Sequence, residues 1–160
     1  MSHPNLGLPP RDMTAGFPDA AARLVAARER IGTRALELAL DGRPEMRARY
    51  DELGLRRLLR DSFGYVDQVA RAIASDDPVV TREWANQVAP VFRRRRVPMD
   101  DLIALSEGLR GAQLAVLSPI ERPSADRAID AAIATFRWYR RLAGDARARN
   151  PILQAIYKGA

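Results

Sequence analysis

The chain has 160 residues, 47% of them apolar, which is enough for one domain with a buried core. It carries 26 basic and 20 acidic residues, giving a formal net charge of +6, and every basic residue except Lys158 is an arginine. Cysteine is absent and His3 is the only histidine, which argues against thiol chemistry, His/Cys zinc sites, a Ser-His-Asp triad and histidine-ligated haem.

Residues 1–17 are rich in Pro and Gly and have no apolar periodicity, so we predict a flexible N-terminal arm there. A helical domain is predicted over residues 18–149. A short helical tail is predicted over residues 150–160, because Asn150-Pro151 interrupts the helical pattern. No apolar segment reaches the roughly 18 residues that a membrane span needs, so we expect a cytoplasmic protein without one.

The first helix is predicted to run from Pro18 to about Leu40, and a short helix from Pro44 to near Gly54. A long helix should follow from about Leu55 to Ala74, because apolar side chains recur there at helical spacing over five turns. Gly64 lies inside this helix, and we expect it to admit a neighbouring helix or a ligand at close range.

The next helix should begin after Pro78 and end at the four arginines 93–96, with Pro90 inside it. A further helix contains the regular stripe of Leu102, Leu105, Leu109, Ala112 and Val116, and a last long helix opens at Pro123 or Ser124. No segment has the pattern of a strand. The predicted fold is therefore an all-α, single-domain bundle of five to six helices, with globin-like packing as one form of it.

Most of the paired acidic residues lie at helix starts or turns, where capping and the helix dipole explain them. Asp126 and Asp130 share one helical face, and this pair has the spacing to hold a cation. We favour a solvated first turn for it over a metal site, and we predict no metal and no cofactor.

The aromatic residues fall on three predicted helices and are typical of core. If some of them instead line an apolar pocket, the helical faces favour Phe63, Trp84, Phe92, Phe136 and Tyr139. Trp138 points to another face than Phe136 and Tyr139, so it is a candidate interface residue, together with the apolar residues of the tail, Ile152, Ile156 and Tyr157.

The run Arg93, Arg94, Arg95 and Arg96 has two interpretations. Four adjacent arginines can bind phosphates or an acidic partner. They can also complement the dipole at a helix C-terminus and remain in water. Consecutive residues point around the helix in different directions, which favours the second interpretation over specific nucleic-acid binding.

The segment from Trp84 to Arg110, WANQVAPVFRRRRVPMDDLIALSEGLR, joins an arginine-rich helix end through a short proline link to a leucine-rich helix. With DQVARAIASDDP before it and TFRWYRR after it, the stretch of about residues 55–143 resembles the N-terminal sensor domain of the stressosome co-antagonist (Rsb-type) regulators. The resemblance implies a haem-free, globin-like helical fold that dimerises and senses or transmits a signal. In that family a partner-binding domain usually follows, and we do not expect one within these 160 residues, so signal output through such a domain is not implied.

Three functional hypotheses follow, and none of them is enzymatic. The first is a regulatory or sensor-like domain that acts by protein contact, as a homodimer or with another protein, or by binding a small apolar ligand. The second is a structural subunit that uses its arm and tail to hold neighbours. The third is nucleic-acid binding through the four arginines 93–96.

Overall fold

The computed structural model describes the backbone of residues 15–149 and the side chains of residues 15–143. Within these limits the chain is all-α, as predicted, and has no strand. Seven α-helices follow one another: α1 (Pro18–Ala26), α2 (Arg28–Gly42), α3 (Pro44–Arg49), α4 (Glu52–Ser75), α5 (Val79–Arg94), α6 (Met99–Ala112) and α7 (Arg122–Arg149), with a single 3₁₀ turn at Gln113–Ala115. None of these helices is both long and apolar enough to cross a membrane.

The predicted first helix is divided into α1 and α2 at Ala27. Helical hydrogen bonds continue on both sides, since the Ala27 N–H donates to the Arg23 carbonyl and the Ala27 carbonyl accepts from the Ile31 N–H. The two helices have different neighbours. Helix α1 packs against α4, whereas α2 packs mainly against α6 and also contacts α4. No Pro or Gly marks the division, so the apolar stripe reads as one continuous helix.

Helix α4 begins three residues earlier than predicted because Asp51 caps it, its Oδ1 accepting the Gly54 N–H at 2.7 Å. The short helix α3 therefore ends at Arg49, and Gly54 belongs to the first turn of α4. The stripe of α4 is confirmed, since it buries Leu58, Val66, Val69 and Ile73 among others.

The α2–α6 contact is the closest approach between helices. A Cβ atom at Gly108 would lie 2.1 Å from the carbonyl oxygen of Ala35, so only glycine fits there. Our expectation for Gly64 was wrong, since a Cβ atom at Gly64 would meet nothing within 4 Å. Gly64 lies on a part of α4 that no neighbouring helix covers closely, and periodicity alone does not distinguish the two glycines.

The other end of α4 is closed by the chain before α1. The N–H groups of Gly16 and Phe17 donate to the carbonyls of Ala74 and Ile73 at 3.2 and 2.8 Å. Residues 1–14 of the predicted arm and the predicted tail at 150–160 lie outside the described residues.

Candidate functional site

The structure distributes the predicted aromatic pocket over several contacts. The Trp84 ring lies between Tyr65, whose ring centroid is 4.5 Å away, and Phe136, at 6.1 Å with its edge towards Trp84. Tyr65 and Phe136 are buried in the core, and the Tyr65 hydroxyl donates to Ser106 at 2.9 Å. Burial raises the pKa of Tyr65, which therefore stays a neutral hydrogen-bond donor.

The remaining three aromatic residues lie apart from that stack. Phe63 packs on Gly32 of α2, where an added Cβ would lie 2.5 Å from its ring. Phe92 is buried beneath the guanidinium of Arg95, and Tyr139 donates its hydroxyl proton to the carbonyl of Asn86 at 3.3 Å. The structure thus brings together Trp84 and Phe136 but gives the other three predicted residues separate neighbours.

Two adjoining surface grooves, of about 870 and 630 Å³, lie elsewhere, between the α1–α2 junction and the 3₁₀ turn. They share Glu29, Arg30, Ala115 and Val116, and neither contains any of the five predicted pocket residues. Both are open to solvent, and their walls alternate charged side chains with alanine and valine.

Asp126 and Asp130 form ion pairs with the guanidinium of Arg110. This side chain reaches from α6 to Asp126 at 3.0 Å, to Asp130 and to Glu107 at 2.9 Å. Burial lowers the pKa of Arg110, but the hydrogen bonds to Asp130 and Glu107 outweigh it and raise this pKa above its ordinary value. Among the described residues no group of three or more acidic or histidine side chains is placed to bind a metal ion.

The polar cluster that the sequence did not reveal is centred on Asp101, whose side chain is fully buried. Its Oδ2 accepts hydrogen bonds from Arg49 and from the Tyr50 hydroxyl, the latter at 2.6 Å. Burial, followed by the hydrogen bond to Asp101, raises the pKa of Tyr50. The helical position of Asp101 could have predicted its burial, because Asp101 lies four residues before buried Leu105 on the same helical face.

The arginine run closes α5 with a Schellman motif. The N–H of Arg96 donates to the Arg93 carbonyl at 3.0 Å, and the N–H of Val97 donates to the Phe92 carbonyl at 2.9 Å. Arg96 accordingly has a φ of 60°, and Val97 is buried near Phe92. Arg95 binds Asp61 of α4 at 2.8 Å. The backbone of Arg96 thus ends α5, and the Arg95 side chain pairs within the fold, while both interpretations of the arginine run remain predictions.

An exposed apolar surface follows the outer side of α7. Trp138 is 48% exposed and Leu142 is 39% exposed, and they lie one helical turn apart on the same face. Ala131 and Ala134 precede them in the same row. The Trp138 ring is fixed edge-on against Tyr139, with 4.8 Å between the ring centroids.

Helix α5 lies alongside this row. The hydrogen bond from Tyr139 to Asn86 fixes which side of α5 meets α7, and helical periodicity places Pro90 and Arg93 on that same side, one and two turns later. We refer to these seven residues together as the α5–α7 face: Asn86, Pro90, Arg93, Ala131, Ala134, Trp138 and Leu142. The other predicted interface residues, Ile152, Ile156 and Tyr157, lie outside the described residues.

The other exposed apolar side chains among the described residues lie on four different elements and in the loop before α7: Val25, Leu53, Val91, Leu114 and Ile120. Single exposed apolar residues of this kind are ordinary on protein surfaces. Trp and Arg, in contrast, are the residue types that contribute most to protein–protein binding. The α5–α7 face combines them and is therefore the strongest candidate site in the described part of the chain.

No protein-family model, curated protein or solved structure matches this chain.

Proposed function

We propose that this chain is a non-enzymatic regulatory binding domain, and that it acts by protein–protein contact through the α5–α7 face. The observation that carries the proposal is the pairing of exposed Trp138 with exposed Leu142 on one face of a helix. An apolar surface of this kind loses unfavourable hydration when a partner covers it, which drives association. The polar clusters around Arg110 and Asp101 support the non-enzymatic assignment. Their charged side chains pair with other helices of the same fold, which gives these charges a structural role.

The resemblance to stressosome sensor domains supplies the regulatory context of the proposal. In that context the chain is a haem-free, globin-like domain whose output is a docking event, with a second copy or with another protein. A small apolar ligand is the alternative input, and the two grooves beside the 3₁₀ turn offer a place for it.

Site-specific photocrosslinking tests the proposal. A photoreactive phenylalanine analogue at position 138 should capture a discrete protein from the organism's own lysate, or a second copy of the chain, and Leu142→Ala should abolish the product. The matched control places the same analogue at Leu53, which is 56% exposed at the start of α4. An equal set of products at both positions, or none at position 138, would contradict the proposal.

The variants must remain folded for this test to be informative. Trp138→Ala should cost about 1 kcal/mol or less, since half of the side chain is already in water and its main contact is the Tyr139 ring. Phe136→Ala, two residues away and fully buried, should cost about 4 kcal/mol. Urea unfolding of both variants would measure this difference.

Nucleic-acid binding is the second candidate function, favoured by the exposed guanidiniums of Arg93, Arg94 and Arg96. None of the three forms an ion pair with a described residue. A phosphate-driven complex would weaken steeply as salt is added, and Arg93→Gln/Arg94→Gln would lower that salt dependence. The third hypothesis, a structural subunit held by residues 1–17 and 150–160, rests mainly on segments outside the described residues.

A further inference from the structure

The two chain segments that form the α5–α7 face are strongly unbalanced in charge. Residues 86–96 of α5 and its end, and residues 134–143 of α7, together contain seven arginines and no acidic residue: Arg93, Arg94, Arg95, Arg96, Arg137, Arg140 and Arg141. A surface of this composition carries a positive potential that a partner with negative charge would complement.

Two of the seven arginines are used inside the fold. Arg95 pairs with Asp61 at 2.8 Å, and Arg140 pairs with Asp100 at 2.5 Å. The other five form no ion pair with any residue whose side chain the structure describes. Arg110 shows the contrast, because three carboxylates surround it where the fold brings them together.

Two of these five arginines adjoin the apolar row, because Arg137 and Arg141 follow Ala134 and Trp138 by three residues on α7. A third, Arg93, lies in the last turn of α5, which packs alongside α7. From Ala131 to Leu142 the row extends about 16 Å, the length of three helical turns. Its two alanines leave room for the backbone of an approaching helix, while Trp138 and Leu142 offer larger apolar surface.

We propose that the α5–α7 face binds an acidic amphipathic helix of a protein partner. The apolar side of that helix covers Trp138 and Leu142, and its carboxylates pair with Arg93, Arg137 and Arg141. This inference rests on the proposed function, and it adds the chemical class of the partner to it.

The same observations disfavour the other occupants. A second copy of the chain would place arginines against arginines, which repels. Single-stranded nucleic acid binds through successive aromatic rings that stack on its bases. The row offers one exposed ring among alanines and a leucine. An anionic lipid surface would also be attracted to the arginines, but a broad surface does not match a narrow apolar row three helical turns long.

The test uses the full chain and defined probes. The main probe is a labelled helical peptide of about 18 residues, with leucines on one face and glutamates on the other. Its matched control has lysine at each glutamate position. Phosphatidylglycerol vesicles and a single-stranded oligothymidine represent the two other anionic occupants. Binding is measured by fluorescence anisotropy of each labelled probe, at low and at physiological salt.

We expect the acidic peptide to bind and the basic peptide not to bind. Arg137→Glu/Arg141→Glu and Trp138→Ala should each weaken binding about tenfold or more. Arg30→Glu, an exposed arginine of α2 with no ion pair to a described side chain, should change binding less than about twofold. Circular dichroism would confirm that the variants keep their helical content.

Several outcomes would overturn the inference. These are no binding of the acidic peptide, equal binding to the Arg137→Glu/Arg141→Glu variant, or a preference for the vesicles or the oligothymidine that the same variants abolish. The photocrosslinking at position 138 separates this failure from that of the proposed function. A captured protein segment without an excess of Asp and Glu overturns the acidic helix alone, whereas the absence of any captured protein removes the binding surface itself.

Discussion

The two sides of α7 differ in how the fold treats charge. On the side facing α6, Asp126 and Asp130 bind Arg110, and Arg140 binds Asp100. On the outer side, Trp138 and Leu142 are exposed, and Arg141, three residues after Trp138, has no ion pair to a described side chain. One helix therefore has a side closed by internal contacts and a side left open. The difference lies in what the neighbouring helix supplies, because α6 provides Arg110 and Asp100 as partners on the first side.

The closed side should be sensitive to small changes and the open side tolerant of large ones. A buried contact loses packing and leaves polar groups without partners when it is altered, whereas an exposed side chain exchanges one hydrated state for another. The predictions that follow apply this contrast between buried and exposed contacts to the rest of the fold, each with its control, from the largest expected change in the free energy of unfolding to the smallest.

Gly108→Ala should cause the largest change. The new methyl group would lie 2.1 Å from the Ala35 carbonyl oxygen, which is backbone and cannot rotate away. Helix α6 would have to move away from α2 along their whole contact, and we expect a loss of about 3 kcal/mol in the free energy of unfolding, measured in urea.

Gly64→Ala is the matched control, since it adds the same methyl group to another helix interior. A Cβ at Gly64 meets nothing within 4 Å, so the substitution should stabilise the protein by about 0.5–1 kcal/mol through the higher helix propensity of alanine. Equal effects of the two substitutions would show that α2 and α6 are not in close contact.

Asp101→Asn should cost about 2 kcal/mol. The amide can keep an oxygen towards Arg49 and Tyr50, but its NH₂ group then occupies the place of the buried Oδ1, which has no hydrogen-bond partner among the described residues. Arg49 would also lose its buried counter-charge.

Asp61→Asn is the control for Asp101→Asn, because Asp61 also pairs with an arginine but lies at the surface. Surface pairs contribute little, so we expect a loss within about 0.5 kcal/mol. Thermal or urea unfolding of both variants gives the comparison. If Asp101→Asn were as mild as Asp61→Asn, the α3–α6 contact would not depend on the buried carboxylate.

These two pairs of variants also show how far the sequence leads. The apolar stripes of α4 and α6 predicted the core because the 3.6-residue period decides which side chains face inwards. The period does not identify the helix that covers each face, so Gly64 and Gly108 looked alike. The burial of Asp101 depends on Arg49 and Tyr50, some fifty residues away in the chain.

The candidate site also has features that the sequence predicted and features that it could not predict. The helical pattern placed Trp138 on another face than Phe136 and Tyr139, and the side chain is 48% exposed in the structure, while its role as an interface remains a prediction. The ion pairs were not predictable, because Arg95 and Arg94 are adjacent in the chain and only Arg95 has a carboxylate opposite. Which arginines remain unpaired is a property of the packed helices.

Asp76 provides the pH dependence. Hydrogen bonds from the Ser124 hydroxyl and the Arg127 guanidinium hold the pKa of Asp76 below its ordinary value. A carboxylate whose folded pKa is lowered stabilises the protein above its unfolded pKa, and this stabilisation is lost as pH falls through the folded value. The stabilisation that Asp76 provides at pH 7 should therefore be lost as the pH falls below about 4.

Asp76→Asn isolates this contribution, because asparagine tolerates the left-handed φ of 50° that Asp76 adopts. At pH 7 the variant should be about 1.5 kcal/mol less stable in urea, after allowance for the exposure of the Arg127 pair. As the pH falls through the folded pKa of Asp76, the urea midpoints of the two proteins should converge. A stability difference that stays constant with pH would show that the charge of Asp76 is not the source of its stabilisation.

Arg96→Gly should stabilise the protein, by less than Gly108→Ala, Asp101→Asn or Asp76→Asn destabilises it. Arg96 has a φ of 60°, a conformation that costs a side-chain-bearing residue about 1 kcal/mol relative to glycine, so the variant should be stabilised by about that amount. Arg94→Gly, two residues earlier and inside α5, should instead destabilise by about 1 kcal/mol. Because Arg96→Gly keeps the Schellman motif while removing a guanidinium, it separates the two interpretations of the arginine run. A variant that is more stable and binds the acidic peptide as tightly as the unaltered chain assigns Arg96 to helix termination. If the variant is more stable but binds the acidic peptide more weakly, Arg96 belongs to the binding surface, which then reaches the end of α5.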